Sequence, residues 1–400
     1  MSMRLLNIGQ NYHVRGGSDK YMLSLSEMMA RRGHKVIPFA ASSADNLPTP
    51  WERYFPVAAD FERPGPRDIA RFIYSRPARA SMKRLLRDIE VDMAHLHIYY
   101  GKLTASILAP LKEAGVPVVQ TLHEYKTVCP VYTLHSDGRI CEDCRGRAYW
   151  RALLNRCNRG SRARSALSAL ESRVSRALGS VGKIDHFIAV SDFLRNKVVE
   201  LGLPAHKVTT VHNCVDVDGT EPGRIPGSYF LYYGRIERIK GVFTLAEAAS
   251  STGVPLYVVG SGGALPELKG FVEDRAIDNV RFLGFRQGAE LERLIRGSIC
   301  TVTPSEWYET FGLTLIESFA HGRPVIASRI GGMTEVVSHG EDGFLVTPGS
   351  VEELRDRLAW MAAHRREAVE MGAEGRKKAE ELFNEELHYS RIMDVYRKVL

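Results

Sequence analysis

The sequence predicts an α/β protein with two doubly wound parallel-sheet domains. Its 400 residues are too many for one ordinary hydrophobic core and suit two domains. Short apolar runs typical of buried strands alternate with amphipathic helical patterns in both halves. The composition, 44% hydrophobic and 25% charged, is that of a soluble globular protein. We therefore expect domains at 1–217 and 229–380, a polar linker at 218–228 and a last helix at 381–400.

The first half opens with a buried strand at 4–9, a polar loop and an amphipathic helix at 18–32. The loop ends in Gly16 and Gly17. Glycines before a helix let the backbone approach a phosphate or another ligand, although such a pair is more often only a turn. On its own, the loop is a candidate ligand contact and no more.

Three histidines are associated with the next two strands. His95 and His97 alternate along the strand at 91–97 and therefore share one face of the sheet. Packing or hydrogen bonding is commoner for such histidines than metal binding. The strand at 117–122 brings His123 to its carboxyl end, the edge at which open α/β sheets bind ligands. A single histidine after a strand is more often structural, so this position alone does not identify a site.

Four cysteines lie within an insertion at about 126–180 that has little periodicity. Eleven, two and twelve residues separate them along the chain, and they are Cys129, Cys141, Cys144 and Cys157. Disulfides are rare in cytosolic proteins, and a Cys-x2-Cys pair with two further thiols is the arrangement that a structural zinc uses. The pattern predicts either a structural zinc or four unlinked thiols.

Residues 145–179 form the most basic part of the chain, with nine arginines against one acid, Glu171. Apolar side chains are interleaved with the arginines, namely Tyr149, Trp150, Leu153, Leu154, Leu167 and Leu170. A basic helix with aromatic and leucine positions can lie in the interface of an anionic bilayer. The alternative is a solvated helix whose apolar side packs on its own domain.

The net charge of +7 is unevenly placed, because the first 217 residues are strongly basic and the remainder is mildly acidic. This asymmetry favours an anionic surface, membrane or nucleic acid, as a partner of the first half. No apolar run approaches the length that spans a bilayer, and the N-terminal residues are typical of a first strand and not of a secretory signal. These features predict a cytoplasmic protein.

The second half repeats strand and helix signals in the manner of a doubly wound sheet. Strands are expected at 230–234, 255–259, 280–283, 300–303 and 324–327, and helices at 242–251, 265–274, 289–296 and 312–322. The turn at 260–263 is rich in glycine but lacks the complete spacing of a dinucleotide-binding loop. The turn therefore gives no support to a dehydrogenase.

The stretch at 303–330 carries the strongest functional pattern. A polar loop follows a strand and leads into an apolar-periodic helix that begins near Gly312. The free N–H groups and positive dipole end of such a helix suit a phosphate. Glu317, on this helix, could accept hydrogen bonds from ribose hydroxyls, and Glu309 would project from the loop into a crevice. The alternative is an ordinary α/β loop with two surface carboxylates.

Two cations, Arg235 and Lys240, lie in the loop after the apolar run at 229–233. Two cations that converge on a diphosphate can neutralise its charge without a metal, because arginine gives bidentate contacts and lysine a point charge. This loop therefore strengthens the prediction of a phosphate site.

These two loops together resemble a known family. Lys240 follows Arg235 by five residues in a Gly-Arg loop, and Glu309 precedes Glu317 by eight. The combination resembles the retaining glycosyltransferases of family 4, also called group 1, which have the GT-B fold. Further matching segments lie at 213–216, 282–285, 331–336 and 343–348. The resemblance covers nearly the whole chain and implies two Rossmann-like domains that face a central cleft, with the last helix crossing back to the first domain.

The resemblance also implies roles for residues. Gly16 and Gly17 match a glycine loop beside the donor diphosphate and the acceptor, and His123 matches a histidine that contacts the donor sugar near the scissile bond. Glu309 would hold hydroxyls of that sugar, and Phe285 lies in a loop that borders the donor base. The implied catalytic residues are His123, Arg235, Lys240 and Glu309, and the implied donor-binding residues are Gly16, Gly17, Arg235, Lys240, Phe285, Glu309, Thr310, Phe311, Gly312, Leu313 and Glu317.

The activity implied is retaining, metal-independent transfer of a sugar, of the hexosyltransferase type, from a UDP- or GDP-linked donor. The implied acceptor is a lipid-linked or oligosaccharide glycan in bacterial polysaccharide or O-antigen synthesis, at the inner face of the cell membrane, with no catalytic cofactor. One alternative is a sugar-nucleotide epimerase of the same fold, which would need no acceptor. Another is a non-catalytic basic protein that binds membranes or nucleic acid. Because the cleft motifs are intact, we expect an enzyme and no nucleic-acid partner.

Overall fold

The computed structural model describes residues 2–61 and 63–400, and the chain forms two compact units. The first unit contains the chain up to Val211 together with Tyr389–Leu400, and the second contains His212–His388. Each unit is built on a six-stranded sheet in which every neighbouring pair of strands is parallel. The predicted α/β class with two doubly wound sheets is confirmed.

The elements of the first unit alternate between strand and helix. In chain order they are β1 (Arg4–Ile8), α1 (Gly17–Arg31), β2 (Lys35–Phe39), α2 (Pro66–Ile73), α3 (Arg76–Asp88), β3 (Met93–Leu96), α4 (Leu108–Glu113), β4 (Val118–Leu122), β5 (His135–Ser136), β6 (Arg139–Ile140), α5 (Arg151–Leu154), α6 (Arg162–Ala177), α7 (Ser180–Lys183), β7 (His186–Ala189), α8 (Asp192–Glu200) and β8 (Val208–Thr210). The sheet order is β2-β1-β3-β4-β7-β8, and β5 and β6 form a separate antiparallel hairpin. The order reverses direction between β1 and β3, which is where an open α/β sheet leaves a crevice at the carboxyl ends of its strands.

The second unit has the same plan with a different strand order. Its elements are β9 (Tyr229–Tyr233), α9 (Val242–Ala249), β10 (Leu256–Val259), α10 (Leu265–Asp274), β11 (Val280–Gly284), α11 (Gly288–Gly297), β12 (Ser298–Thr303), α12 (Leu313–Ala320), β13 (Val325–Ser328), α13 (Met333–Val336), β14 (Gly343–Val346), α14 (Val351–Ala363) and α15 (Arg365–Leu382), followed by α16 (Glu385–Val399), which continues into the first unit. The sheet order is β11-β10-β9-β12-β13-β14. The reversal of direction here lies between β9 and β12, so a crevice is expected beside the loops that follow these two strands.

Each sheet is covered by apolar side chains on its helices. In the second unit one core cluster joins β9, β10 and β12 to α9, α10 and α14, and a smaller cluster on α11 covers the other face. In the first unit the core includes Ile392, Val395 and Tyr396 from the last helix. The C-terminal residues are therefore part of the first hydrophobic core, although a separate unit precedes them in the chain.

Most predicted elements lie within two residues of the observed ones, and α10 has the predicted bounds. Ser191 caps α8, with Leu194 N–H donating to Ser191 Oγ at 3.0 Å. The amino-acid pattern does not predict the hairpin β5–β6 or the short helix α7. Elements of two to four residues are too short to produce a recognisable periodicity. The linker suggested at 218–228 belongs to the second unit.

Candidate active site

The candidate residues of the second unit lie on two adjoining loops. Arg235 and Lys240 follow β9, whereas Glu309 and Gly312 follow β12. Because β9 and β12 are neighbouring parallel strands at the point where the sheet order reverses, both loops leave the same edge of the sheet. Topology therefore brings together two motifs that are about 70 residues apart in the chain.

Lys240 and Glu309 form a direct ion pair between these loops. The Lys240 ammonium donates to Glu309 Oε1 at 2.5 Å, and the side chains are 18% and 10% exposed. Ser305 Oγ donates to the same oxygen at 2.5 Å, and the Lys240 Nζ lies 5.1 Å from the centre of the Trp307 ring. The pair thus has one hydroxyl partner and an aromatic wall.

The electrostatics of the pair keep Glu309 charged. Burial by itself raises the pKa of this carboxyl, but the Lys240 ammonium and the hydrogen bonds from Lys240 and Ser305 outweigh burial, and the pKa lies below its ordinary value. An ionised carboxylate accepts hydrogen bonds and donates none. Glu309 is therefore suited to hold hydroxyl groups at neutral pH.

Arg235 is the exposed cation of the site. Its backbone carbonyl accepts a hydrogen bond from Tyr232 Oη at 2.6 Å, which anchors the loop to the end of β9. Burial is the largest cause of the raised pKa of Tyr232, and the Glu309 carboxylate raises this pKa further. The Arg235 guanidinium lowers it. The Tyr232 hydroxyl therefore interacts electrostatically with charged groups of both loops, Arg235 and Glu309.

Close backbone packing holds the loops in register. Gly241 has φ +69°, and a Cβ at this position would lie 1.9 Å from the carbonyl oxygen of Pro304. Gly331 has φ +64°, and its Cβ would lie 2.3 Å from the carbonyl oxygen of Glu309. Only glycine permits both the left-handed conformation and this approach. The Lys240 and Glu309 loops are thus fixed against each other by main-chain contact.

Helix α12 begins at the end of the loop that carries Glu309. Gly312 adopts φ +97° at its N-cap and has no side chain with which to cap the helix. The first N–H groups of α12 and its positive dipole end are therefore available to an anion. The family resemblance assigned donor binding to three further residues at the start of α12. Of these, Phe311 is buried, and Thr310 and Leu313 are partly buried.

The remainder of α12 is tied to the sheet. Tyr233 Oη donates to the carbonyl of Thr314 at 2.7 Å and lies 3.2 Å from Ser318 Oγ. Burial, and then the Glu317 carboxylate, raise the pKa of Tyr233, which places Glu317 beside the carboxyl end of β9. Glu317 is partly buried, whereas Phe285, in the loop after β11, is 56% exposed.

The candidates in the first unit lie at the carboxyl ends of β1 and β4. Gly16 caps α1 in an extended conformation, and the preceding loop is held by Asp19, which accepts from Asn11 Nδ2 and from the N–H of Arg15, both at 3.2 Å. His123 follows β4 and is half-buried, and Gly17 is exposed. Burial lowers the pKa of His123. His95 accepts or donates at Tyr396 Oη and Thr121 Oγ1, at 2.6 and 2.7 Å, in agreement with the predicted structural role.

The four cysteines of the insertion lie near one another as free thiols. Burial and the other three thiols raise the pKa of Cys144 to about 12. The N–H groups of Leu134 and Val131 donate to the Cys129 sulfur, and the N–H of Asp143 donates to that of Cys141. In the part of the chain that the structure describes, no three of these sulfurs lie within 4.8 Å of one another. The cysteines form a loose cluster around the hairpin β5–β6.

Family models match both units. A model described as "Glycosyltransferase Family 4" matches residues 15–218, just over half of the chain. The protein belongs to glycosyltransferase family 4. A second model, "Glycosyl transferases group 1", matches residues 226–378 and contains both candidate loops. The chain is therefore a family 4, group 1 glycosyltransferase.

Curated relatives of this family 4 enzyme act on different sugars. A D-rhamnosyltransferase of Pseudomonas aeruginosa is 32% identical over 157 residues, which are 39% of this chain and 41% of the relative. A phosphatidyl-myo-inositol mannosyltransferase of Mycobacterium leprae is 27% identical over 97% of this chain and 95% of its own. An O-antigen chain mannosyltransferase C of Escherichia coli is 26% identical over 43% and 47%. Two of these three matches thus span less than half of each protein.

Solved structures show that the family 4 chain has the GT-B fold. Sucrose-phosphate synthase from Thermosynechococcus elongatus superposes with a TM-score of 0.73, at 20% identity, over 99% of this chain and 98% of that structure. HepE of Anabaena, solved with UDP-glucose, superposes with a TM-score of 0.71, at 18% identity, over 99% and 100%. Among the described residues of this chain, no helix is both long and apolar enough to cross a bilayer.

Sequence reasoning missed several residues that shape the site. Ser305 and Trp307 surround the Lys240–Glu309 pair, and Tyr232 and Tyr233 anchor the loop and α12. The sequence signal for Ser305 was its position four residues before Glu309. The direction in which a loop side chain points depends on its backbone conformation, which the amino-acid pattern does not specify.

Proposed function

We propose that this glycosyltransferase transfers a hexose, with retention and without a catalytic metal, from a UDP- or GDP-linked donor to a lipid-linked or oligosaccharide acceptor. The pathway proposed is bacterial polysaccharide or O-antigen assembly. The observation that carries the proposal is the cluster at the sheet reversal of the second unit: an exposed Arg235, the Lys240–Glu309 pair and the uncapped start of α12.

The diphosphate of the donor is assigned to the cationic part of this cluster. Arg235 would give bidentate contacts, Lys240 a point charge, and α12 its first N–H groups. These groups stabilise the negative charge that grows on the leaving phosphate as the glycosidic bond breaks. Because fixed positive groups perform this neutralisation, the reaction requires no divalent ion.

The carboxylates are assigned to the hydroxyl groups of the donor. Glu317 would accept from the ribose, and Glu309 from the donor sugar. Glu309 is already engaged by Lys240 and Ser305, so it is held in place as an acceptor and not as an attacking nucleophile. His123 of the first unit is assigned to the sugar near the scissile bond, as the family resemblance implies, with Gly16 and Gly17 beside the diphosphate and the acceptor.

Retention follows from attack on the same face that the diphosphate leaves. The departing phosphate oxygen can take the proton of the acceptor hydroxyl as the new glycosidic bond forms, so no dedicated base is needed. HepE was solved with UDP-glucose, which supports a sugar nucleotide as donor, and two of the curated relatives are named as mannosyltransferases, which supports transfer of a hexose. The name of the Escherichia coli relative supports O-antigen synthesis.

A structural zinc at Cys129, Cys141, Cys144 and Cys157 is part of the proposal. Backbone N–H groups that donate to cysteine sulfurs stabilise thiolates, and such contacts are already present at three of the four. In a tetrahedral site with Zn–S bonds of about 2.3 Å the sulfurs lie about 3.8 Å apart, so the metal would draw this loose cluster together.

Elemental analysis tests the zinc proposal. Protein purified without chelator should contain about one zinc per chain. Cys144→Ser should abolish the bound zinc, whereas Cys214→Ser, outside the cluster, should retain it. A zinc-free wild-type protein whose fold is unchanged by chelation would refute the site.

The experiment that tests the function measures donor binding and transfer. A calorimetric panel of UDP, GDP, ADP and dTDP should identify one preferred nucleotide. With the matching donor, Arg235→Ala and Lys240→Ala should each reduce transfer by at least about 100-fold. Each substitution removes a positive charge that stabilises the negative leaving group. The matched control is Arg238→Ala, because Arg238 lies in the same loop but pairs with Glu267.

Two outcomes would contradict this function. Near-wild-type turnover in Arg235→Ala or Lys240→Ala, with the fold intact, would remove these residues from the mechanism. Conversion of the sugar nucleotide in a reaction that contains no acceptor would instead identify an epimerase.

A further inference from the structure

We propose that His97 is a positioning residue for His123, and that a hydrogen-bond chain starting at the main-chain carbonyl of Met22 holds both rings as Nε2–H tautomers. This inference rests on the proposed function, in which His123 contacts the donor sugar. It adds two residues, Asn7 and His97, to which no role in the reaction was assigned from the sequence.

The three side chains lie at the carboxyl ends of three neighbouring strands. Asn7 is near the end of β1, His97 directly follows β3, and His123 directly follows β4. The N–H of His97 donates to the carbonyl of Ile8 at 2.8 Å, which continues the β1–β3 ladder by one residue. The chain therefore lies at the point where the order of the first sheet reverses.

The orientation of the Asn7 amide is decided by a group that can only accept. Asn7 Nδ2 lies 3.0 Å from the carbonyl oxygen of Met22 and 2.7 Å from Ser26 Oγ. A carbonyl has no proton, so the NH₂ group of Asn7 must face it. The amide oxygen, Oδ1, is consequently turned towards His97.

The amide oxygen in turn decides the tautomer of both histidines. His97 Nε2 lies 2.7 Å from Asn7 Oδ1, so Nε2 carries a proton and donates it. In a neutral ring the other nitrogen, Nδ1, is then an acceptor. His97 Nδ1 lies 3.1 Å from His123 Nε2, so His123 must donate from Nε2.

Burial keeps both rings neutral. Desolvation holds the pKa of His97 well below its ordinary value, and the neighbouring His95 and His123 lower this pKa further. Desolvation likewise lowers the pKa of His123. Neutral rings have one donor and one acceptor each, so the alternation of donors and acceptors along the chain is maintained at neutral pH.

Aromatic contacts hold the rings in place. His97 stacks on His95, with ring centres 4.6 Å apart, and on His123 at 5.4 Å. The Tyr21 ring makes T-shaped contacts with the rings of His97 and His123, with ring centres 5.6 and 5.0 Å apart. His123 is therefore restrained by packing and by a directed hydrogen bond.

The tautomer has a consequence for recognition. Since the Nε2 proton of His123 is committed to His97, any group that meets Nδ1 has to donate a hydrogen bond, as a sugar hydroxyl does. A neutral ring also adds no positive charge beside a sugar that becomes cationic as its bond to phosphate breaks. His123 thus serves as a neutral acceptor and not as a proton donor to the leaving group.

A double-mutant cycle tests the positioning role. His97→Phe keeps a ring but removes the acceptor, and we expect kcat to fall about fivefold to tenfold, with the donor KM changed less than about twofold. In a His123→Ala background, His97→Phe should cause no further loss of kcat, because its effect acts through His123. Additive losses in the two backgrounds would overturn the proposal.

His95→Phe is the matched control for the cycle. His95 lies two residues earlier in the chain and stacks on the same ring, but its ring nitrogens hydrogen-bond to Tyr396 and Thr121. Any loss of activity from His95→Phe should be independent of His123 and therefore additive. Coupling to His123 as strong as that of His97 would show that ring packing alone, and not the hydrogen bond, positions His123.

Histidine NMR of the wild-type protein provides a test that needs no variant. With ¹⁵N-labelled histidine, one protonated Nε2 should show a through-hydrogen-bond coupling to the unprotonated Nδ1 of a second histidine. A coupling between other nitrogens, no coupling, or an imidazolium signal from this pair at neutral pH would overturn the tautomer assignment.

The two proposals fail in different ways. If Arg235→Ala leaves transfer intact, the proposed function fails, whatever the histidine spectrum shows. If Arg235→Ala abolishes transfer while the cycle is additive and the coupling is absent, only the role of His97 fails.

Discussion

Glu309 illustrates how neighbours decide the chemistry of a single residue. The Glu309 side chain is 10% exposed, and burial alone would favour the neutral acid. The Lys240 ammonium and two hydrogen bonds reverse this preference and lower its pKa. Glu309 is thus a buried, ionised acceptor, and its charge depends on the loop that follows β9.

Glu309→Gln should reveal this dependence through pH. The folded-state pKa of Glu309 is below the ordinary value of 4.5, so the pair contributes its full stability above that pH and loses it as the pH falls through the folded-state pKa. The difference in free energy of unfolding between wild type and Glu309→Gln should therefore be roughly 1–3 kcal/mol at pH 7 and shrink below pH 4.5. Urea unfolding from pH 7 to pH 3 measures it, and a difference that does not change with pH would contradict the pairing.

Helix α6 is amphipathic in an unusual sense, because its polar face is buried. Ser165, Ser168, Glu171, Ser172 and Ser175 are all buried, whereas Leu170 is 48% exposed. The buried face is organised by an ion pair of 2.7 Å between Lys126 and Glu171, whose side chains are 8% and 1% exposed. Lys126 also donates to the carbonyl of Pro130 at 2.7 Å, which ties the start of the cysteine insertion to α6.

Lys126→Met should destabilise the first unit by about 3–5 kcal/mol, because it leaves the Glu171 carboxylate buried without its counter-ion. The double variant Lys126→Met/Glu171→Leu should recover much of that loss, since no charge then remains buried. Arg366→Met is the control, because the Arg366–Glu370 pair is 85% and 67% exposed, and it should change stability by less than about 1 kcal/mol. Urea midpoints measure all three, and equal losses in the single and double variants would contradict the argument.

At the scale of the whole molecule, the arginine-rich segment of the first unit combines basic residues with exposed apolar side chains. Trp150 is 58% exposed, Leu154 63% and Leu170 48%, within the arginine-rich segment. We propose that this surface lies on an anionic membrane at the inner face of the cell, where the apolar side chains enter the interface and the arginines meet the headgroups. The acceptor would then be reached from the bilayer surface.

Vesicle flotation tests the membrane proposal. The protein should float with vesicles of phosphatidylcholine and phosphatidylglycerol and not with phosphatidylcholine alone, and high salt should weaken binding through charge screening. Trp150→Ser/Leu154→Ser should reduce flotation several-fold, because less apolar area enters the interface. Leu382→Ser, which changes a leucine that is 48% exposed in the second unit, is the control. Equal recovery with both lipid mixtures would contradict the proposal.

The sequence by itself determined the fold class, most strands and helices, and the family. These features depend on local patterns, such as the apolar run before Arg235 or the glycine before α12, that persist wherever the segment is placed. The cysteine and arginine motifs were equally visible, although the exposure of Trp150 and Leu154 was not. The division of the chain was harder to predict, because the last helix supplies Tyr396 to a core formed mainly by the first half of the chain.

Only the tertiary structure decided how the distant groups act on one another. Lys240 and Glu309 are 69 residues apart, and Asn7 and His97 are 90 apart, so no local pattern indicates that they touch. Strand order brings each pair to one edge of a sheet, and packing then determines which nitrogen or oxygen faces which. The charge of Glu309 and the tautomer of His97 depend on those contacts. They can therefore be assigned only from the arrangement of the strands in the tertiary structure.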